Sequence, residues 1–196
     1  SLFFFLSSAI IACNNKPKGP DVSGIKADVK IERFEKSFFN IDTNNISQSL
    51  LKLQQEFPGF YFDYMQNLLG VSGSDTSYNT VMAVKQMTGS YASLNTIIQK
   101  KVGDMSAVEK ELEQSIKYVK HYFPEYKIPK FISFVGTLDA PGVALTDNYI
   151  AIGLQQYAGK DFEGYLSKEV QQLYPTYISR RFEPAYIATN CIKTIV

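Results

Sequence analysis

Few residues of this chain are of the types most often used in catalysis and metal binding. They are two cysteines, Cys13 and Cys191, and one histidine, His121. A zinc site needs three or four His, Cys, Asp or Glu ligands at suitable spacing, and a single histidine excludes the HExxH motif. The sequence also holds no glycine-rich phosphate loop and no GxSxG nucleophile elbow. We therefore predict no catalytic residue, no metal ligand and no cofactor site in this chain.

The remaining polar candidates each have an ordinary structural explanation. His121 lies at the end of a predicted helix, where a partial positive charge interacts favourably with the helix dipole. Arg180 and Arg181 beside Tyr177 could hold an anionic group such as a phosphate or a carboxylate. Adjacent arginines tend to point apart, however, so we interpret this pair as solvated. Three loop carboxylates are of the type that forms turns and caps: Asp139, Asp147 and Asp161.

The chain begins with an apolar run, Leu2 to Ala12, that only Ser7 and Ser8 interrupt. A helix of this length reaches about 16 Å, which is too short to cross a hydrocarbon core of about 30 Å. The length instead suits the hydrophobic region of a signal peptide. No Met and no basic residue precedes the run, so we expect the true start of the protein to lie upstream. Residues 1–12 are therefore predicted to belong to a signal peptide.

The apolar run ends in Ile10-Ile11-Ala12-Cys13, which resembles the lipobox of bacterial lipoproteins. That resemblance implies cleavage before Cys13 and attachment of lipid to its thiol, so that acyl chains such as palmitate hold the new N-terminus on a membrane. A polar segment rich in Lys, Pro and Gly follows and predicts a flexible tether over residues 13–27. A buried Cys13 at the end of a core helix would not explain this segment. Cys191, left without a partner, is predicted to be a buried, inert thiol.

The composition argues against a nucleic-acid-binding protein and indicates one globular domain. The net charge is +1, and Lys and Arg alternate with Asp and Glu along the chain, so no basic stripe for nucleic acid is present. The 45% hydrophobic content and the length predict one globular domain, which we assign to residues 28–196.

Hydrophobic spacing predicts an α+β, helix-dominated single domain with a small antiparallel β-sheet or hairpin. Strands are expected at 29–34, 131–135 and 149–154, with a tight turn at 146–148. Helices are expected at 46–57, 60–69, from 78 to about 88, 94–102, 106–123, 162–173 and 184–196. Ser106 and Glu109 have the spacing of a capping box, and Glu109, Glu111 and Glu113 are predicted to form a solvated helix face.

Several segments, in order and spacing, resemble the GldB family of gliding-motility lipoproteins, from the lipobox to residue 196. They are Phe57-Pro58-Gly59-Phe60-Tyr61-Phe62-Asp63-Tyr64 with Leu68-Leu69-Gly70, His121-Tyr122-Phe123-Pro124-Glu125-Tyr126-Lys127-Ile128-Pro129, Ile152-Gly153-Leu154-Gln155-Gln156-Tyr157-Ala158-Gly159-Lys160-Asp161, Tyr174-Pro175-Thr176-Tyr177, Arg180-Arg181 and Glu183-Pro184. Two residues depart from the family pattern: Gln155 stands where Asp is expected and Ala158 where Leu is expected. Both departures argue against a ligand-binding role for that loop.

The resemblance implies a lipid-anchored cell-envelope protein of gliding bacteria of the Bacteroidetes group. That group often marks surface lipoproteins with an acidic run after the lipidated Cys, and no such run follows Cys13, so the domain is expected to face the periplasm. Members support gliding and the linked type IX secretion, so the implied partners are the membrane and other envelope proteins of that machinery. The family is distantly similar to zinc metallopeptidases, but its members are not known as enzymes. The equivalent of the zinc helix would lie beyond residue 196, so we expect the domain to be incomplete at its C-terminus. Two alternatives stay open: a metallopeptidase-like hydrolase with that helix beyond residue 196, and a lipid-anchored binding module for an envelope ligand.

Overall fold

The computed structural model describes residues 19–74 and 76–196. The predicted signal peptide, Cys13 and the first part of the tether lie outside the described residues.

The described chain forms one helix-rich domain around a small sheet, which confirms the predicted α+β class. The strands are β1 (Ile31–Arg33), β2 (Lys130–Phe134), β3 (Val143–Leu145) and β4 (Tyr149–Gly153). The α-helices are α1 (Phe34–Phe39), α2 (Ile46–Glu56), α3 (Tyr61–Asn67), α4 (Tyr78–Ser90), α5 (Ala92–Val102), α6 (Ser106–Tyr122), α7 (Lys168–Leu173), α8 (Thr176–Ser179) and α9 (Ile187–Ile195). Short 3-10 turns cover Leu154–Gln156, Glu163–Leu166 and Pro184–Tyr186.

The sheet is mixed, with strand order β1-β2-β4-β3. The predicted hairpin is confirmed: β3 and β4 are antiparallel, and the Thr146 N–H donates to the Tyr149 carbonyl at 2.8 Å across the turn. The other two pairings, β1 with β2 and β2 with β4, are parallel, so the expectation of an antiparallel sheet holds only for the hairpin. All five residues of β4 and four of β2 are buried, as expected for parallel strands covered on both faces.

The long helices follow their apolar spacing. In α6 the residues Val108, Leu112, Ile116 and Val119 are buried, and each lies three or four positions from the next, so one stripe of the helix faces the core.

The strand expected at 29–34 is shorter, because Phe34 already begins α1, a helix that the period-2 pattern did not predict.

The predicted capping box at the start of α6 is wrong. Met105 is the N-cap residue, with a left-handed φ of 67°, and Ser106 is already the first residue of the helix. Asp104 takes over part of the cap, because its carboxylate accepts the Ser106 N–H at 3.0 Å, a bond that lowers the pKa of Asp104. The Glu109 carboxylate instead accepts the backbone N–H of Ile31 at 3.0 Å. Glu109 therefore fastens β1 to α6 and does not belong to a solvated face.

Aromatic rings fill the space between the first helices and the sheet. Phe34 lies at the centre, with its ring centroid 4.7 Å from that of Tyr64 and 5.2 Å from that of Phe60. The Phe60 ring in turn lies 5.8 Å from Phe134 on β2. The Tyr64 hydroxyl donates to the Val135 carbonyl at 2.8 Å, so this buried ring has its polar end satisfied. Edge-to-face and tilted pairs of this kind add stability beyond the area they bury.

Candidate functional site

The chain enters the domain beside the C-terminal half of α6. A Cβ built on Gly19 would lie 3.7 Å from Cε1 of Tyr118. Farther along, the Lys120 ammonium donates to the Lys26 carbonyl at 3.1 Å, and the Glu109 carboxylate holds Ile31 at the start of β1. Residues 19–26 therefore lie beside the C-terminal end of α6, and residues 26–31 run antiparallel to it toward its N-terminal end.

Lysines surround the groove between this entering segment and α6. Two adjoining cavities, of 500 Å³ and 680 Å³, share Ala27, Asp28 and Lys120 in their walls. We call this surface the lysine groove. Its six lysines face two carboxylates among the lining residues of the two cavities; the lysines are Lys26, Lys30, Lys117, Lys120, Lys127 and Lys130, and the carboxylates are Asp28 and Glu32.

Only part of this positive charge is neutralised. Lys30 pairs with Glu109 at 3.3 Å and Lys130 with Glu32 at 3.5 Å. The other four lysines form no ion pair with any described residue. Lys120 donates to the Lys26 carbonyl, and the remaining three are Lys26, Lys117 and Lys127. Unpaired ammonium groups on a common surface attract anions over roughly one Debye length, about 8–10 Å. The lysine groove is therefore suited to a negatively charged partner.

Exposed aromatic rings lie at the same end of α6. Tyr122 is 61% exposed and Phe123 is 55% exposed, and Tyr118 is exposed beside Gly19. His121 lies in the last turn of α6, as predicted, and its ring packs edge-on against Tyr122 at 4.9 Å between centroids. Large apolar side chains that remain in solvent next to lysines are typical of an interaction surface.

The arginine pair lies toward the opposite end of the parallel strands from the lysine groove. Arg181 lines a cleft of 540 Å³, which we call the tyrosine cleft, whereas Arg180 is not among the lining residues. The cleft is walled by Gln156, Tyr174, Tyr177, Ile178, Phe182, Tyr186, Thr189, Asn190 and Lys193. Both arginines are exposed, as predicted. Gln156 follows the carboxyl end of β4, whereas Lys130 of the lysine groove begins β2, so the two surfaces lie at opposite ends of parallel strands.

A buried polar network lies behind the sheet, and sequence reasoning missed it. The Arg33 guanidinium donates to the Glu35 carboxylate at 2.6 Å and to the Gln99 side chain at 2.9 Å. The Ser133 hydroxyl donates to the other Glu35 oxygen at 2.7 Å. No local signal marks Glu35, because an acidic residue in the first turn of a helix is ordinary. The network joins β1, α1, α5 and β2.

Gln155, one of the two departures from the family pattern, is fully buried and holds a loop closed. Its side-chain oxygen accepts the Gly136 N–H at 3.0 Å, and its amide group donates to the Ala140 and Pro141 carbonyls at 3.1 Å each. Both ends of the amide are used, so this side chain is a structural brace between the loops that follow β2 and β4.

The predicted burial of Cys191 is confirmed. Its thiol is buried on α9, and burial raises its pKa to about 12, so the reactive thiolate is scarce at neutral pH. Within residues 19–74 and 76–196, no three His, Cys, Asp or Glu side chains lie close enough to share a metal ion. Lipidation of Cys13 and the lack of catalytic residues stay predictions.

Among the helices that the structure describes, none is both long enough and apolar enough to cross a bilayer. No curated protein and no solved structure matches the chain. One family model does match: that described as gliding motility protein GldB covers residues 15–196, nearly the whole sequence. The chain therefore belongs to the GldB family of gliding motility proteins.

Proposed function

We propose that this protein is a non-catalytic, lipid-anchored component of the cell envelope that faces the periplasm and supports gliding motility and the linked type IX secretion machinery. The observation that carries the proposal is the arrangement along the sequence. The GldB match begins at residue 15, directly after the lipobox-like Ile10-Ile11-Ala12-Cys13. Family membership supports the gliding role, and the lipobox-like motif supports the anchor.

The buried polar side chains of the described residues stabilise the fold. Glu35 and Gln155 are both fully buried, and both spend their hydrogen-bonding atoms on their own chain. Groups used in this way brace loops and strands and are not free to contact a substrate. The conspicuous free groups are surface lysines and rings, which suit contacts with a partner or a membrane better than bond-breaking chemistry.

The first experiment tests the anchor. In cells, Cys13→Ser is expected to leave the chain unprocessed or to release it from the membrane fraction, because the thiol that would carry lipid is gone. Cys191→Ala is the matched control: it removes the other sulfur, which is buried, and the protein is expected to stay membrane-bound. Membrane binding and gel mobility equal to those of the parent in Cys13→Ser would show the anchor assignment to be wrong.

The second experiment tests the cellular role. A clean deletion is expected to abolish spreading on agar, and the parent gene, but not Cys13→Ser at equal level, is expected to restore it. The same strains report on secretion through the amount of exported protein in the medium. Normal spreading of the deletion strain would overturn the gliding role. Lost spreading with normal secretion would overturn only the type IX connection.

A further inference from the structure

We propose that the lysine groove and the exposed rings at the end of α6 form a membrane-facing surface that binds the headgroups of anionic phospholipids. This inference rests on the proposed lipid anchor at Cys13, and it adds the orientation of the domain on the bilayer and the lipid class that it selects.

The length of the tether limits which surface can face the membrane. Gly19 lies against Tyr118, and only six positions separate it from Cys13. Even a fully extended chain of that length spans at most about 22 Å. An acylated Cys13 lies at the bilayer surface, so the C-terminal end of α6 must stay within that reach of the lipid headgroups. Of the surfaces described, the lysine groove and the rings beside it are the ones at this end.

The charge of that surface fits anionic headgroups. Lys26, Lys117 and Lys127 have no ion-pair partner among the described residues. Two further lysines, Lys16 and Lys18, lie in the sequence between Cys13 and Gly19. A lysine near an anionic membrane contributes about 1 kcal/mol, and acyl chains combined with a basic patch give firmer attachment than either alone.

The rings complete the chemistry of an interfacial surface. Tyr122 and Phe123 are more than half exposed, and Tyr118 stands beside the entering chain. Aromatic side chains favour the boundary between headgroups and acyl chains, where an apolar ring and a polar tip are both accommodated. Lysines bound to phosphate oxygens and rings seated just below them would hold the domain in one orientation.

Vesicle binding tests the surface without the anchor. The mature chain from residue 13, carrying Cys13→Ser and made without acylation, is mixed with phosphatidylcholine vesicles that contain or lack phosphatidylglycerol. We expect binding only to the anionic vesicles, and we expect it to weaken as salt rises from about 0.1 M to about 0.5 M. No binding to anionic vesicles, or equal binding to both kinds, would overturn the proposal.

Two triple variants with the same change in net charge distinguish binding through this surface from nonspecific electrostatic attraction to anionic vesicles. The first is K26E/K117E/K127E on the lysine groove, and the second is R180E/R181E/K193E at the tyrosine cleft. The groove variant is expected to bind anionic vesicles at least about ten-fold more weakly than the parent, and the cleft variant within about two-fold of it. Equal weakening of both variants would show that net charge alone causes binding.

A label on the surface gives a second measurement that needs no charge change. Tyr122→Cys and Tyr177→Cys each carry an environment-sensitive fluorophore and compare the proposed surface with an exposed tyrosine of the tyrosine cleft; buried Cys191 remains unlabelled. We expect brominated lipid to quench the label at 122 and not the label at 177, and the reverse pattern would overturn the proposal. The chain in these vesicle assays carries no lipid. A negative result here therefore concerns only the proposed surface, whereas the Cys13→Ser experiment in cells concerns only the proposed anchor.

Discussion

Arg33 and Glu35, two residues apart at the junction of β1 and α1, form an ion pair in which the carboxylate is completely buried. The Arg33 Nε–Glu35 Oε1 distance is 2.6 Å, and Ser133 from β2 donates to the second carboxylate oxygen. A buried carboxylate is tolerated only when its oxygens are paired in this way, because the low dielectric of the interior magnifies any unmet charge. The pair therefore fixes how β1, at the edge of the sheet, meets its neighbour.

Glu35→Ala should strongly destabilise the protein. It leaves the largely buried Arg33 guanidinium without its carboxylate, and breaking one side of a buried pair reduces the free energy of unfolding by about 3–5 kcal/mol. Lys130→Met is the control, since it breaks the exposed Lys130–Glu32 pair and should change stability by less than about 1 kcal/mol. Urea unfolding of both variants measures the difference. Similar losses in the two would contradict the structural weight given to Glu35.

Glu109 and Glu111 lie on the same helix and should respond differently to removal. Glu109→Ala removes the acceptor for the Ile31 N–H and is expected to lower stability by about 1–3 kcal/mol. Glu111 is exposed, and Glu111→Ala should stay within about 0.5 kcal/mol of the parent. Amide hydrogen exchange at Ile31 gives a local readout, with faster exchange expected only in Glu109→Ala. Unchanged exchange there would show that the bond contributes little.

Gln155→Glu should destabilise the protein in a pH-dependent way. An ionised carboxylate cannot donate to the Ala140 and Pro141 carbonyls, which the amide group of Gln155 now contacts. The new carboxyl should have a folded-state pKa above its ordinary value of about 4.3, so its penalty is small below that pH and grows as pH rises. We expect a loss of about 2 kcal/mol at neutral pH that shrinks toward pH 4, measured by denaturant unfolding. A loss that does not vary with pH would contradict this contact pattern.

Cys191 should resist thiol reagents while the protein is folded. Burial raises the pKa of its thiol from 9.0 to about 12, so at pH 8 the folded chain holds very little thiolate. Because the folded pKa is raised, this thiol favours the folded state fully below about pH 9, and that contribution is lost as pH rises toward 12. Iodoacetamide labelling of a Cys13→Ser chain should require urea. Rapid labelling without denaturant would show that α9 opens readily.

The sequence predicts this fold well where the signal is local. The apolar stripe of α6 and the turn before β4 depend on residues within one element, and both are present. The parallel pairing of β1 with β2 joins segments far apart in the chain, and no spacing reveals it. The same holds for Glu109: its short-range spacing suggests a cap, whereas its partner Ile31 lies on another element.

The candidate surfaces are harder to predict from the sequence than the helices are. Lys26, Lys117 and Lys127 are scattered along the sequence among acidic residues, and the overall charge of +1 conceals them. They share a face only because the entering chain lies against α6. The burial of Glu35 is not predictable from the local sequence either, because it depends on Arg33 and on a serine from a distant strand.

The parallel contact between β1 and β2 also fixes an order of events during biogenesis. The N–H and C=O groups with which β1 pairs to β2 have no sheet partner until β2 follows, about a hundred residues later along the chain. A chain that emerges N-terminus first can therefore complete the contact between β1 and β2 only after residues 34–129 have emerged. If residues 1–12 are the signal peptide that we propose, its removal need not wait for closure of the domain.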